Sequence, residues 1–251
     1  HSTPLELGSP AAMPSISLPP FASLSKRIQA QYELASQHLQ LGGQTIEIQY
    51  PSDPDPLLDE LIDRGSEDPE VQDERIPYWA DVWPSAIGMA QFLAKHPALV
   101  QQQQVIELGC GVALPSITGA KLGAGRVIMT DYLPAALEMA AYNWGLNGLP
   151  DPELSTLDWR TPETHLQSDV VLASDVIYEA RNSDSLLNAF QVLCRPSGTI
   201  IWSEPGRPLG ESFRQDLLAR GFQVSEAKET VLVGASEYLI RIFSVHPPQL
   251  A

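Results

Sequence analysis

The sequence has few cysteines and histidines, which limits the chemistry that it can carry. Its two cysteines, Cys110 and Cys194, are too few for a disulfide framework and are typical of a reduced intracellular protein. None of the five histidines stands four residues from another or beside a cysteine, so we expect no metal site. No run of 18 or more apolar residues occurs, which predicts no membrane span.

Basic side chains are also scarce. The chain has 15 lysines and arginines against 31 aspartates and glutamates, a formal net charge of −16 at pH 7. Such a surface repels phosphate backbones, so we expect no nucleic-acid partner. It is compatible with a basic protein substrate, although acidity also simply keeps a protein soluble. We expect a cytoplasmic monomer.

The first 76 residues differ in character from the rest. Residues 1–22 are rich in proline, serine and alanine, which predicts a disordered or tag-derived lead-in. Residues 23–76 are expected to form an N-terminal extension of helix and strand, and a single α/β domain is predicted over 77–251. Within the extension the pattern predicts a helix over 24–41, a strand over 45–50, a helix over 57–64 and an acidic loop over 65–75.

After residue 77 strands and helices alternate, the pattern of a parallel, doubly wound α/β sheet. Strands are predicted at 105–108, 126–131, 153–157, 169–174, 199–203, 223–227 and 238–245, with helices at 84–95, 114–122, 134–147, 185–193 and 209–219. The order strand, glycine-rich turn, helix, strand, acid places the turn at the carboxyl edge of the sheet. Folds of this kind bind their ligands there.

The turn after the first of these strands predicts a nucleoside cofactor. Gly109 and Gly111 let the backbone approach a ligand, and Asp131, 20 residues further on, can accept both ribose hydroxyls. A dinucleotide site would have a third glycine where Leu114 stands. Glu107 would repel a diphosphate but can face the amino-acid or sulfonium part of S-adenosylmethionine, directly or through water. The residues therefore favour S-adenosylmethionine over a nicotinamide cofactor.

Further cofactor contacts are predicted at the ends of the next strands. Asp158 is expected to accept the adenine amino group and Trp159 to cover the ring, with a simple cap as the alternative for Asp158. Tyr132, which follows the acid, and Ser174, through its backbone, are also predicted to contact the cofactor. Cys110 is interpreted as a packing residue, not a nucleophile.

Four segments together carry a family resemblance. They are the glycine turn from Glu107, the acid Asp131, the segment Asp175 to Tyr178 that matches an Asp-x-x-Tyr signature, and the tryptophan motif at 77–84. The chain resembles methyltransferase family 16 over about residues 77–245. A further segment, from Glu204 to Arg207, resembles the Asp-Pro-Gly-Arg motif of the lysine methyltransferases of the electron-transfer flavoprotein β-subunit, with Glu in place of Asp.

The resemblance implies a Rossmann-like, seven-stranded sheet of order 3-2-1-4-5-7-6 with one antiparallel strand, and S-adenosylmethionine as the cofactor. It implies that Asp175 orients the acceptor amine and that Tyr178 walls the acceptor channel, with a helix N-cap and a core aromatic as the respective alternatives. Trp83 is expected against the cofactor, unless it is a structural tryptophan. Arg207 has three candidate partners: Glu204, Asp175 or a substrate carboxylate.

Three functions remain open on these residues. The leading hypothesis is an N-methyltransferase that acts on a lysine of a protein substrate. The second is an N-methyltransferase for a small amine, and the third is a non-catalytic binding module with this fold. An NAD-dependent oxidoreductase is disfavoured by Leu114.

Overall fold

The computed structural model describes residues 16–65, 67 and 77–249. Most of the predicted lead-in and of the predicted acidic loop lies outside these residues. The described elements form a two-stranded hairpin near the N-terminus and a seven-stranded mixed sheet. None of the helices in the described ranges has the length and apolar character needed to cross a bilayer.

The elements are labelled here in chain order. They are α1 (Phe21–Gln31), β1 (Leu34–Leu41), β2 (Gln44–Pro51), α2 (Asp55–Asp63), α3 (Pro84–Lys95), β3 (Gln104–Leu108), α4 (Leu114–Lys121), β4 (Arg126–Asp131), α5 (Pro134–Leu146), β5 (Glu153–Thr156), β6 (Ser168–Ser174), α6 (Ser183–Leu193), β7 (Cys194–Glu204), α7 (Pro208–Ala219), β8 (Gln223–Val233) and β9 (Ser236–His246). Short 3₁₀ turns lie at Tyr78–Ala80, Pro97–Leu99, Thr164–Leu166 and Ala180–Asn182.

The helix predicted over 24–41 is wrong in its second half. Helix α1 ends at Gln31, and Leu34–Leu41 is the strand β1, which pairs antiparallel with β2. The turn between the two strands is Gly42 and Gly43, with φ values of 56° and 77°. Two successive residues with positive φ make the hairpin turn that matches the twist of paired strands. The glycine pair was therefore the signal that this segment is a strand.

The large sheet has the predicted order. Its strands lie in the sequence β5-β4-β3-β6-β7-β9-β8, which is 3-2-1-4-5-7-6 when β3 is counted as the first. Strand β9 runs antiparallel to both of its neighbours, and the other pairs are parallel. Because β3 pairs with both β4 and β6, the winding reverses at β3. A crevice opens at the carboxyl ends of these strands.

Each face of the sheet carries its own apolar core. Along β3 the side chain of Val105 joins one core and that of Ile106 the other, as the alternation of a strand requires. The first core also contains Ile28 of α1 and Ile48 of β2, both fully buried. The N-terminal extension is therefore packed on the same core as the sheet. The boundary between the extension and the domain at residue 77 stays a prediction.

Candidate active site

A cavity of about 1070 Å³, including the part open to solvent, lies at this carboxyl edge. Of the residues predicted for the cofactor and the acceptor, all except Glu107 line it: Trp83, Gly109, Gly111, Asp131, Tyr132, Asp158, Trp159, Ser174, Asp175 and Tyr178. The fold thus brings these residues together, while their individual roles remain proposals.

The glycine turn adopts the backbone that its sequence predicts. Gly109 and Gly111 have φ values of 62° and 51°, in the left-handed region. A Cβ built on Gly109 would lie 3.5 Å from Cζ2 of Trp159, so the indole ring stands directly against this backbone. Helix α4 follows at once, with its first amides at the turn. The turn therefore leaves room for a ligand where side chains would fill it.

Asp131 ends β4 at the cavity wall, where two backbone amides hold its carboxylate. The amide of Gly111 donates to Oδ2 at 3.1 Å, and the amide of Leu133 donates to Oδ1 at 3.1 Å. The acid is thereby fixed relative to the glycine turn. A carboxylate in this position is an acceptor for the hydroxyl donors of a sugar.

Asp158 is engaged with a neighbour that the sequence did not suggest. Arg160 donates its backbone amide to Oδ1 at 2.9 Å and its Nη2 to Oδ2 at 2.7 Å, and its guanidinium lies 5.9 Å from the ring centroid of Tyr132. The hydrogen bond from the backbone amide of Arg160 closes a local turn, of the kind that an aspartate side chain forms with the residue two positions later. A contact between Asp158 and an adenine amino group, which stays a prediction, would share this carboxylate with Arg160.

Glu107 does not line the cavity, so this geometry disfavours the direct contact with the cofactor, and the alternative of a contact through water stays a prediction. Its side chain is fully buried beneath α4, where the backbone amide of Ser116 donates to Oε2 at 3.0 Å and the Ser116 hydroxyl donates to the same oxygen. Burial raises the pKa of Glu107 to about 8, and the bonds from Ser116 only partly oppose this. The side chain is therefore mostly protonated at pH 7.

This raised pKa makes a prediction for Glu107→Gln. A carboxyl group with a folded-state pKa of about 8, against an ordinary value of 4.5, binds a proton that the unfolded chain has released. The folded state of the wild type therefore loses stability as the pH rises from about 4.5 to about 8. The neutral glutamine should remove this loss, which is on the order of 3 kcal/mol of unfolding free energy between pH 5.5 and pH 8.5. Denaturant unfolding at pH 5.5 and 8.5 measures it, and parallel pH dependence in both proteins would contradict it.

Asp175 follows β6 in a constrained backbone. Its φ is 51°, a conformation that few residues other than glycine adopt, and its amide donates to Ser203 O at 2.9 Å. Helix α6 begins only at Ser183, which excludes the alternative of a helix N-cap for Asp175. Backbone strain held by the surrounding structure is common at functional sites.

The side chain of Asp175 is only 7% exposed and pairs with Arg207. Arg207 donates Nη2 to Oδ2 at 3.2 Å, and its Nε lies 3.2 Å from Oδ1. Burial raises the pKa of Asp175, whereas the charge and the hydrogen bond of Arg207 act in the opposite direction. Of the three partners predicted for Arg207, Asp175 is the one that its guanidinium contacts.

Glu204 shapes the loop that presents Arg207. Its buried carboxylate accepts the amides of Gly206 at 2.8 Å and Arg207 at 2.7 Å, and Arg241 is its ion-pair partner at 3.3 Å. Position 210 is glycine, and a Cβ built there would lie only 2.6 Å from Oε2 of Glu204, which is too close for a normal contact. The Glu-Pro-Gly-Arg segment is therefore a turn built around its own glutamate.

Aromatic rings line the cavity near Asp175. The ring centroid of Tyr178 lies 5.0 Å from that of Tyr78, which lies 6.2 Å from that of Trp83. The indole nitrogen of Trp83 donates to Tyr78 O at 2.7 Å, which fixes the tryptophan motif. Tyr78 was missed as a site residue, although it stands within that motif. Its signal was an aromatic side chain between Pro77 and the predicted contact Trp83.

The charged side chains that line the cavity indicate which cofactor fits it. Among the described residues of the lining, four carboxylates (Asp81, Asp131, Asp158 and Asp175) face one guanidinium, that of Arg160. Such a set opposes a diphosphate and suits a ligand with a sugar diol and a positive charge. Leu114, fully buried, fills the place of the third glycine of a dinucleotide turn. S-Adenosylmethionine therefore fits these residues, and a nicotinamide dinucleotide does not.

The sheet order, the glycine turn and the acid after β4 define the class I, S-adenosylmethionine-dependent methyltransferases. Within this class, a family model described as lysine methyltransferase matches residues 72–214, more than half of the chain. The chain therefore belongs to this family, methyltransferase family 16.

The relatives that the chain matches are named as methyltransferases of different protein substrates. The chain is 32% identical to the histone-arginine methyltransferase METTL23 of Rattus norvegicus over 149 residues, 54% of this chain and 66% of that protein. It is also 32% identical to the electron transfer flavoprotein beta subunit lysine methyltransferase of Mus musculus over 145 residues, 56% of each chain. The chain thus spans about half to two thirds of the length of the curated relatives it matches.

A solved structure has the same fold at low identity. The magnesium protoporphyrin IX methyltransferase of Synechocystis PCC 6803, solved with bound SAM, matches with a TM-score of 0.53 and 18% identity. The match covers 78% of this chain and 92% of that one. At this identity the likeness concerns the fold alone.

Proposed function

We propose that the protein transfers a methyl group from S-adenosylmethionine to the side-chain nitrogen of a lysine in a protein substrate. The observation that carries this proposal is the buried, arginine-paired carboxylate of Asp175, which shares one cavity with the glycine turn and Asp131. The family description and the lysine methyltransferase among the relatives support it. The acidic net charge of −16 suits a basic protein surface as the partner.

The bound cofactor supplies an electrophilic methyl group on a sulfonium, and the residues around it prepare the acceptor. A lysine nitrogen reacts only after it has lost its proton, since its pKa is about 10.4 in water. We propose that Asp175 accepts a hydrogen bond from this nitrogen and fixes its direction. Tyr78 and Tyr178 would enclose the alkyl chain and limit water. Such positioning supplies most of the acceleration in reactions between two bound partners.

Arg207 supports a lysine acceptor over an arginine acceptor. Arg207 offsets the negative charge of Asp175, which alone would hold an acceptor amine in its charged form, so burial can lower the pKa of a lysine amine there. An arginine side chain cannot respond in this way, because its pKa is above about 12. Arginine methylation is nevertheless the second candidate function, because several of the relatives are histone-arginine methyltransferases.

The experiment is to incubate the protein with methyl-labelled cofactor and a proteome, and to hydrolyse the labelled proteins to amino acids. We expect the label in methyl-lysine at about tenfold or more over methylarginine, because each unit by which the pKa of a lysine amine falls gives about tenfold more of the reactive neutral form, whereas a guanidinium stays charged. Label in methylarginine would favour the second candidate. Label confined to small molecules would favour the small-amine hypothesis, and no label would favour a non-catalytic module.

The labelling experiment includes the Asp175→Asn variant as the inactive control.

We further propose that the protein is a monomer in the reducing cytoplasm. The two buried thiols of Cys110 and Cys194, which form no disulfide, support the reducing compartment.

A further inference from the structure

One fully buried amide side chain joins the N-terminal hairpin to the glycine turn. Asn143 of α5 accepts the backbone amide of Gln49 on Oδ1 at 2.9 Å, and its Nδ2 donates to Gln49 O at 2.9 Å. The same Nδ2 donates to Val112 O at 3.1 Å. Gln49 belongs to β2, whereas Val112 lies in the turn that lines the cavity. A single side chain therefore connects two regions that are distant in sequence.

Asn147, one helical turn later, makes the same contact with the hairpin but does not reach the turn. It accepts the amide of Glu47 at 3.0 Å and donates to Glu47 O at 2.7 Å. Its other hydrogen bond goes to Asn143 O at 2.8 Å, within the same helix segment. Side chains four apart lie on one face of a helix, and alternate strand residues present their backbone alike, so the two asparagines bind β2 as a pair.

The carbonyl that Asn143 holds belongs to the residue just before one with a constrained backbone. The next residue, Ala113, has a φ of 69°, which costs free energy for a residue with a Cβ. The preceding residue, Gly111, donates its amide to Asp131, the acid expected to hold the ribose. A shift of Val112 would therefore move both the start of α4 and the support of Asp131.

We propose that Asn143 is a positioning residue of the cofactor site, through which the N-terminal hairpin holds the glycine turn in its binding conformation. The inference rests on the proposed function for the identity of the ligand. It gives the extension at 23–76 a role in cofactor binding, besides its packing on the core. The N-terminal extension, which lies outside the part of the chain that resembles the family, then contributes to the cofactor site.

The two asparagines provide a matched experiment. Asn143→Ala and Asn147→Ala each remove two hydrogen bonds to β2, so both should lower the melting temperature. Only Asn143→Ala releases Val112. We expect its dissociation constant for adenosylhomocysteine, measured by calorimetry on the full chain, to rise about tenfold, and that of Asn147→Ala to stay within about threefold of the wild type. In methyl transfer, Asn143→Ala should raise KM for the cofactor and leave KM for the acceptor unchanged.

A second variant covers the case in which Asn143→Ala does not fold. Asn143→Asp keeps the acceptor for the Gln49 amide but removes the donor to Val112, and it should also bind adenosylhomocysteine less tightly than Asn147→Ala. Equal losses of affinity in the variants of both asparagines, or wild-type affinity in a folded Asn143 variant, would overturn the inference. A wild-type protein that binds no adenosylhomocysteine contradicts the cofactor assignment itself, so the two failures are distinguishable.

Discussion

Asp131→Ala is expected to weaken the binding of adenosylhomocysteine by about a hundredfold or more. Two sugar hydroxyls would lose a charged acceptor, and each such hydrogen bond contributes roughly 1.5–3 kcal/mol. The change also frees the amide of Gly111, which the carboxylate holds at 3.1 Å, so the glycine turn loses one of its supports. Isothermal titration of wild type and variant with adenosylhomocysteine measures the effect.

The matched control is Asp216→Ala, the loss of an exposed aspartate on α7 away from the cavity. It changes the net charge by the same amount and should leave the affinity unchanged. Thermal unfolding of both variants shows whether the fold is retained. A folded Asp131→Ala protein that binds as tightly as the wild type would refute the assignment of this cavity to the cofactor.

The fold could be predicted from the chain after residue 77 because its signals reinforce one another. Each strand there is a short apolar run followed by a helix, and Pro84 and Pro134 stand at first helical positions, where proline is tolerated. The order of the sheet came from the family resemblance. Before residue 77 the spacing of apolar residues led to a wrong prediction of helix for Leu34–Leu41. This segment has leucines at both helical and strand spacing. Only the tertiary pairing with β2, signalled by Gly42 and Gly43, decides it.

The candidate site was predictable where function depends on the local sequence. The glycine turn, Asp131 and Asp175 each stand at the end of a parallel strand, so topology alone brings them to one edge. Glu107 lies outside the cavity lining because side chains alternate along a strand and the adjoining helix closes over this one. Its position in the sequence motif is compatible with either a cofactor contact or a buried partner of Ser116.

Contacts between distant segments had no readable signal. Nothing in the sequence pairs Asn143 with Val112, since an asparagine late in a helix is also a common cap or surface residue. The sequence allows three candidate partners for Arg207, because a loop arginine reaches several carboxylates. The buried carboxylate of Glu204, which turns the loop toward Asp175, is the tertiary fact that selects one.

Asp175→Asn is expected to lower kcat for methyl transfer by about a hundredfold or more, while adenosylhomocysteine affinity stays within about threefold of the wild type. Asparagine removes the negative charge that would orient the acceptor nitrogen. It also tolerates the left-handed backbone at φ 51°, so the loop after β6 keeps its course. Single-turnover rates at saturating cofactor, with a lysine-bearing protein substrate, separate this effect from binding. An Asp175→Asn protein with wild-type kcat would remove Asp175 from the mechanism.

The charge partner of this carboxylate gives the matching pH experiment. Arg207 opposes the rise in the pKa of Asp175 that burial causes, so Arg207→Gln should raise that pKa further. Loss of the same positive charge also raises the pKa of a bound lysine amine. Both changes require a higher pH before the reactive states form, so the rising limb of kcat/KM against pH should move upward. The control is Arg214→Gln, an arginine on α7 that pairs with Glu211. Superimposable profiles for wild type and Arg207→Gln would show that the ion pair serves the fold alone.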